Sequence, residues 1–285
     1  MLVQEESSWM GPLALQLEIA YRVGTARGER SQLSALGVSR ADYFSEFGKA
    51  INRLIVAHRR KLEILSAGRK SIDKPASSQP QEIVPTDNAF KISRDESEPK
   101  LRWVDGTPEY SFYIYALFQL FPEARFIHIV RDVAAVVRSM LAFERTGGPR
   151  LVESEQHAYE YWLRTVSACL DAERAYGSEA ICRLHHSDLI AAPEASLRRL
   201  LDFLGEPFEE ICLGPLQKKI NSSEVSQELH SPDPSVDSAL IAAAQELNAK
   251  VMVRPEKYKR DQAHLARLEK TFAARATELA ARRKP

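Results

Sequence analysis

The sequence predicts an α/β protein, with a mostly parallel sheet flanked by helices, and two adjoining observations carry that prediction. Residues Phe126 to Val130 form a short apolar run rich in β-branched side chains, bounded by Pro122 and Asp132, as expected of a strand buried on both faces of a parallel sheet. Directly after it, Asp132 suits a helix N-cap, and Val133, Val136, Val137, Met140 and Leu141 recur at helical spacing. Strand, turn and helix therefore follow one another. In open α/β sheets ligands collect at the carboxyl ends of the strands, which presents Arg131 where an anion would bind. Its guanidinium offers a fork of donors matched to phosphate oxygens. Ser139, two helical turns on, would add a hydroxyl if its face turns toward the same site. The competing reading pairs Arg131 with a carboxylate and leaves Ser139 an ordinary exposed helix residue.

The other elements follow in order along the chain. Residues 1 to 5 read as a short strand, and Pro12 opens a helix through about Tyr21 with Leu13, Leu17, Ala20 and Tyr21 on its inner face and Gln16, Glu18 and Arg22 on the other. Residues 40 to 65 are helical, with a stripe of Tyr43, Phe44, Phe47, Ile51, Leu54, Ile55 and Leu62. From Gly68 to Pro99 the composition turns to Ser, Pro, Gln, Asp and Lys, which reads as a loop or mobile insertion. Leu101 to Val104 is the next strand. Thr107 then serves as an N-cap with Pro108 at the first helical position, and this helix carries Phe112, Leu117 and Leu120 inward. A further helix covers about 153 to 176, with Tyr161 or Trp162, Val166, Cys169 and Leu170 on one face. Ala180 to Leu184 is a strand. Residues 194 to 204 form a helix closed by Gly205 in a left-handed C-cap, and Pro207 bars its continuation.

The tail is mostly helical from about Ser235, so the expected organisation is an α/β domain over 1–234 and a helical extension over 235–285. Tyr258, Leu265, Leu268, Phe272 and Leu279 align in a seam that Arg275 interrupts, which favours packing on the chain's own domain and leaves an oligomer contact as the alternative.

Composition narrows the function classes. The chain's 39 basic and 39 acidic residues balance, so there is no global drive toward nucleic acid or an anionic membrane. Cys169, Cys182 and Cys212 lack metal-ligand spacing and read as reduced core residues, so no metal is expected. No basic N-terminal segment precedes an apolar one, and no run reaches the length of a membrane span; a soluble cytoplasmic protein is the default, unless upstream sequence carries a signal.

Three stretches carry a family resemblance. Trp103-Val-Asp-Gly-Thr107-Pro108, then Leu120-Phe121-Pro122-Glu-Ala-Arg125-Phe-Ile-His-Ile-Val-Arg131-Asp132, then Val136-Val137-Arg-Ser139, resembles the sulfotransferase family that uses 3'-phosphoadenosine 5'-phosphosulfate. A second block is similar to the segment that follows in the same family: Asp188-Leu189, Pro193-Glu194, Leu197 to Leu201 and Phe203-Leu204-Gly205-Glu-Pro207-Phe208. The resemblance implies a sulfotransferase form of the P-loop NTPase fold and a 3'-phosphate site made by Arg131 and Ser139. It further implies transfer of a sulfuryl group from that co-substrate to a hydroxyl or amine on a small molecule, glycan or peptide.

The sequence also departs from the family. Such enzymes open with a strand and a Gly-rich loop whose backbone amides cradle the 5'-phosphosulfate. The nearest match, Val23-Gly-Thr-Ala-Arg-Gly-Glu-Arg-Ser31, places Glu29 beside the anion and follows a stretch that reads as a helix. An alternative alignment starts later in the family pattern, where Glu6-Ser-Ser-Trp9 is similar to a segment whose glutamate is implied to be the general base; the bland reading of Glu6 is a solvated acidic terminus. The two alignments exclude each other, and with Glu6 as base the strand and P-loop lie upstream of Met1. Gly106 stands where members often carry lysine, and Ser187 where they carry glutamate. His128, His185 and His186 read as packed histidines, Asn221-Ser222-Ser223 as a turn, and Arg254, Lys257, Lys259 and Arg260 as a solvated helix face or a source of charge for a nucleotide or acidic acceptor. Two functions follow: a sulfotransferase, or a non-catalytic homologue that retains nucleotide binding or an interaction surface. A kinase-like P-loop enzyme is disfavoured, because no lysine follows a Gly-rich loop.

Overall fold

The computed structural model describes residues 2–4, 8–69, 102–143, 150–217, 233–254 and 257–282. Its elements are β1 (Leu2–Gln4), α1 (Met10–Thr25), α2 (Gln32–Ala35), α3 (Arg40–Arg69), β2 (Trp103–Asp105), α4 (Ile114–Leu120), β3 (Phe126–Val130), α5 (Val133–Ala142), α6 (Glu155–Tyr176), β4 (Ile181–His185), α7 (His186–Ala191), α8 (Pro193–Leu204), α9 (Ser238–Met252) and α10 (Gln262–Ala281), with 3₁₀ turns at Gly28–Arg30, Pro108–Tyr113 and Glu210–Gln217. This is the helix-rich α/β architecture the sequence predicts. The strands are parallel and form two pairs. Leu2, Val3 and Gln4 sit opposite Trp103, Val104 and Asp105, and Phe126 to Val130 sit opposite Ile181 to His185. Among the described residues neither pair is extended by another strand. The chain divides into two compact units, Met1–Ala124 with Lys270–Pro285, and Arg125–Glu269.

In the first unit, α1 buries Met10, Ala14, Leu15, Leu17 and Glu18, while Ala20 is exposed. The expected inner face is thus rotated, because a carboxylate takes an interior place. Glu18, 2% exposed, accepts from Arg22 at 2.7 Å and pairs with Arg40 at 2.9 Å. The Arg40 guanidinium in turn lies against the rings of Phe44 and Tyr115. α3 buries Phe44, Ile51 and Ile55 and turns Phe47 and Leu54 outward. It meets α4 at Gly48, where a Cβ would lie 1.7 Å from the Leu120 carbonyl oxygen. The expected insertion falls outside the described residues, apart from Gly68 and Arg69 in the last turn of α3.

Thr107 takes the N-cap position and Pro108 the first helical position, as expected, but the helix they open is a 3₁₀ turn and the Thr107 side chain makes no cap bond. Its hydroxyl donates to Asp105 Oδ1 at 2.5 Å, and its backbone N–H donates to the same oxygen at 2.8 Å. With that hydroxyl committed backward, Pro108 opens a 3₁₀ turn and α4 begins only at Ile114. The end of α10 contributes Phe272 and Ala276 to this unit's interior, Phe272 against the Tyr115 ring at 5.6 Å. Arg275, expected to interrupt an apolar seam, lies over the Tyr113 ring and donates to the Phe112 carbonyl at 2.9 Å. Tyr258 lies before α10 and not on it.

In the second unit, α5, α6 and α9 build a core with Val130, Val133, Val137, Trp162, Val166, Ala244 and Val251. Trp162, not Tyr161, takes the core position on α6. Gly205 ends α8 at φ 71° and ψ 33°, the left-handed cap expected, with its N–H returned to the last turn. One expectation for β3 fails: it is not buried on both faces, since Ile129 is 58% exposed while Val130 is 2% exposed. Helices cover the Val130 side, and the strand alternates. Cys169, Cys182 and Cys212 are free and half-buried. No helix among the described residues is long and apolar enough to cross a membrane.

Candidate functional site

The site is assembled where β3 and β4 end together. The register sets Val130 opposite His185, so Arg131 and His186 leave their strands side by side. Arg131 is exposed and makes no ion pair among the described residues, so the reading that pairs it with a carboxylate finds no partner there. Its charge reaches His186, whose pKa is lowered first by burial and then by Arg131. Burial likewise lowers His185, which is 6% exposed.

The turn after Arg131 is held by side chains. Asp132 Oδ1 accepts from the Ala135 N–H at 3.1 Å, the N-cap expected from the sequence. Val133 N–H donates to Asn248 Oδ1 at 3.1 Å, and Asn248 Nδ2 donates to Asp132 Oδ2 at 3.2 Å. α5 thus starts beside Arg131 with its positive end toward the strand termini, where a helix favours an anion. Ser139 is half-buried on α5, seven residues after Asp132 and so on the same side of the helix, two turns further along.

Beneath this end of the sheet lies an ionic cluster. His128 Nδ1 is 2.6 Å from Glu173 Oε1, Arg183 Nε donates to the same oxygen at 3.1 Å, and a second Arg183 nitrogen pairs with Oε2. Arg183 also donates to the carbonyls of Val251 and Val253, each at 3.2 Å. Burial alone would lower the His128 pKa, but hydrogen bonds with Cys169 and Glu173 outweigh it and push it up to about 9. Glu173 would be raised by burial, yet His128 and Arg183 hold it below its ordinary value. His128 is packed, as expected, and it is also charged. Neither Glu173 nor Arg183 was singled out as a functional residue from the sequence; the available signal was Glu173 seven residues after Val166 on an otherwise apolar helix face.

The 24–31 segment does not fit a phosphate cradle. It begins in the last two residues of α1 and not after a strand, and its hydroxyls serve the local backbone: Thr25 donates to Tyr21 O at 2.9 Å, and Ser31 Oγ accepts from Leu33 N–H at 3.3 Å. Glu6 and Asn221-Ser222-Ser223 lie outside the described residues. Among the described residues no group of three or more His, Cys, Asp and Glu side chains is placed to hold a metal ion. Arg131 thus stands just before α5, exposed, and Ser139 on it, half-buried, and the residues at 24–31 form no backbone cradle for an anion.

Comparison with known proteins agrees with the motifs. The sequence model described as "Sulfotransferase family" matches residues 38–210. The omega-hydroxy-beta-dihydromenaquinone-9 sulfotransferase Stf3 of Mycobacterium tuberculosis is 35% identical over 106 residues, covering 34% of this chain and 27% of that protein. The protein-tyrosine sulfotransferase of Drosophila melanogaster is 26% identical over 97 residues, covering 34% of this chain and 19% of that protein. The similarity thus spans about a quarter or less of these relatives. Among solved structures, the sulfotransferase domain of the Synechococcus PCC 7002 olefin synthase aligns with a TM-score of 0.35 at 24% identity, covering 61% of this chain and 60% of that one.

Proposed function

Because the chain belongs to the sulfotransferase family, we propose that it transfers a sulfuryl group from 3'-phosphoadenosine 5'-phosphosulfate to a hydroxyl or amine acceptor, with Arg131 and Ser139 binding the nucleotide's 3'-phosphate. The observation that carries this reading is the exposed Arg131 guanidinium, without an ion pair among the described residues, at the carboxyl end of β3 and beside the start of α5. A forked cation there pairs with two phosphate oxygens at once, and the helix start adds favourable potential. Ser139 would supply a neutral hydroxyl donor from the next turns of the same helix.

When bound, the co-substrate supplies the sulfuryl group and leaves as adenosine 3',5'-bisphosphate. In this reading Glu6 is the base that takes the proton from the acceptor, which makes the attacking atom a better nucleophile. The 24–31 segment favours a second reading, a module that keeps the nucleotide end and has lost transfer.

Calorimetry with adenosine 3',5'-bisphosphate tests the first claim. Wild type should bind, and Arg131→Ala should weaken binding by about tenfold or more, as expected for loss of a charge-assisted contact. Equal binding by both removes Arg131 from the site. Sulfuryl transfer lost in Glu6→Gln with nucleotide binding kept supports the base; binding without any transfer by wild type selects the second reading.

A further inference from the structure

Asn248 lies on α9, beyond the residues the family model matches, yet both the oxygen and the nitrogen of its side-chain amide are used at the start of α5. The orientation of that amide is forced, because the Val133 N–H only donates and the Asp132 carboxylate only accepts. Asn248 Oδ1 takes the first at 3.1 Å and Nδ2 serves the second at 3.2 Å. The remaining Asp132 oxygen is occupied by the Ala135 N–H. Both carboxylate oxygens are therefore engaged, Oδ1 by α5 and Oδ2 by Asn248 of α9, and the adjacent Arg131 makes no ion pair among the described residues. The anchor is firm, since Ala244 and Val251 on the same helix are fully buried in the core that contains Val133 and Val137.

Without this hold, Asp132 would retain one contact through its cap and could swing its charge toward the neighbouring guanidinium. An intramolecular pair would then compete with any anion for Arg131. We propose that Asn248 is a positioning residue: it ties Asp132 to the start of α5 and so keeps Arg131 open to an anionic ligand. This rests on the reading of Arg131 as a nucleotide-binding residue. It makes a helix outside the family-matched region part of the phosphate site.

The experiment compares full-length wild type, Asn248→Ala, Asn248→Ala with Asp132→Asn, and Arg131→Ala. Two readouts are taken: affinity for adenosine 3',5'-bisphosphate, and hydrogen exchange of the Val133 amide without ligand. Asn248→Ala should weaken the bisphosphate about tenfold, the effect of diverting a charged hydrogen bond. Adding Asp132→Asn should return affinity to within about twofold of wild type, because asparagine keeps the cap and lacks the competing charge. Val133 should exchange faster in Asn248→Ala. Unchanged affinity in Asn248→Ala overturns the proposal, as does a double variant no better than the single one, which is what a purely structural role would give. If wild type fails to bind, or Arg131→Ala binds as well as wild type, the nucleotide reading fails instead; Val133 exchange then still decides whether Asn248 holds the turn, and unchanged exchange overturns it.

Discussion

His128 carries a proton at pH values where an ordinary histidine has lost it, and this gives the fold a definite pH response. Its folded pKa of about 9 lies above the ordinary 6.5, so its contribution to stability is fully present below 6.5 and is lost as pH rises through about 9. Glu173 moves in the opposite direction: held below its ordinary 4.5, it stabilises above that value, and the contribution is lost on acidification. The melting temperature should therefore be highest between about pH 4.5 and 6.5, fall steadily from about pH 6.5 to 9, and level off above that. In His128→Leu that alkaline fall should be much reduced, measured by circular dichroism; parallel curves for the two proteins would show that the cluster does not govern it. Sequence could place His128 in a packed strand, since it interrupts an apolar run. It could not supply the partner, because Glu173 is 45 residues away and meets it only through packing of α6 on the β3–β4 pair.

At the scale of elements, the contact between α3 and α4 depends on a missing side chain. A Cβ at Gly48 would fall 1.7 Å from a backbone oxygen of α4, which no rotamer can relieve. Gly48→Ala should lower stability by about 3 kcal/mol or more, well outside the small gain expected for Gly→Ala in an unobstructed helix. Urea denaturation checks this, and a neutral or stabilised variant would mean that the two helices separate without penalty. Local signals made several elements legible. β3 was bounded correctly because its β-branched run is short and punctuated, α5 because Asp132 caps it, and α8 because Gly205 can adopt a left-handed conformation. Thr107 and Pro108 marked a helix start correctly, but not its type: the Thr107 hydroxyl turns back to Asp105 and the helix opens as a 3₁₀ turn. The inner face of α1 misled because periodicity treats Glu18 as polar and outward, whereas Arg40 neutralises it inside. In the candidate site, Arg131, Ser139 and the Asp132 cap could be read locally. Asn248 could not, since its two bonds span over a hundred positions.

For the whole molecule, zero net charge means that an anionic ligand is not drawn in by a general field. Attraction must come from particular exposed cations, chiefly Arg131 in the reading given above, and those are screened by salt while the buried His128–Glu173–Arg183 cluster is not. Raising KCl from about 0.05 to 0.5 M should thus weaken bisphosphate binding several-fold with little change in melting temperature. Salt-independent binding by calorimetry would place the main contacts in a buried site. The segmental make-up of the first unit also has a meaning for biosynthesis. Tyr115 belongs to the early part of the chain, but Phe272, which packs against its ring, follows the whole of Arg125–Glu269. A ribosome therefore delivers every residue of the second unit before it delivers this part of the first unit's interior. The uninterrupted segment can fold co-translationally, whereas the earlier one must wait with an aromatic surface uncovered, open to chaperones, until α10 emerges.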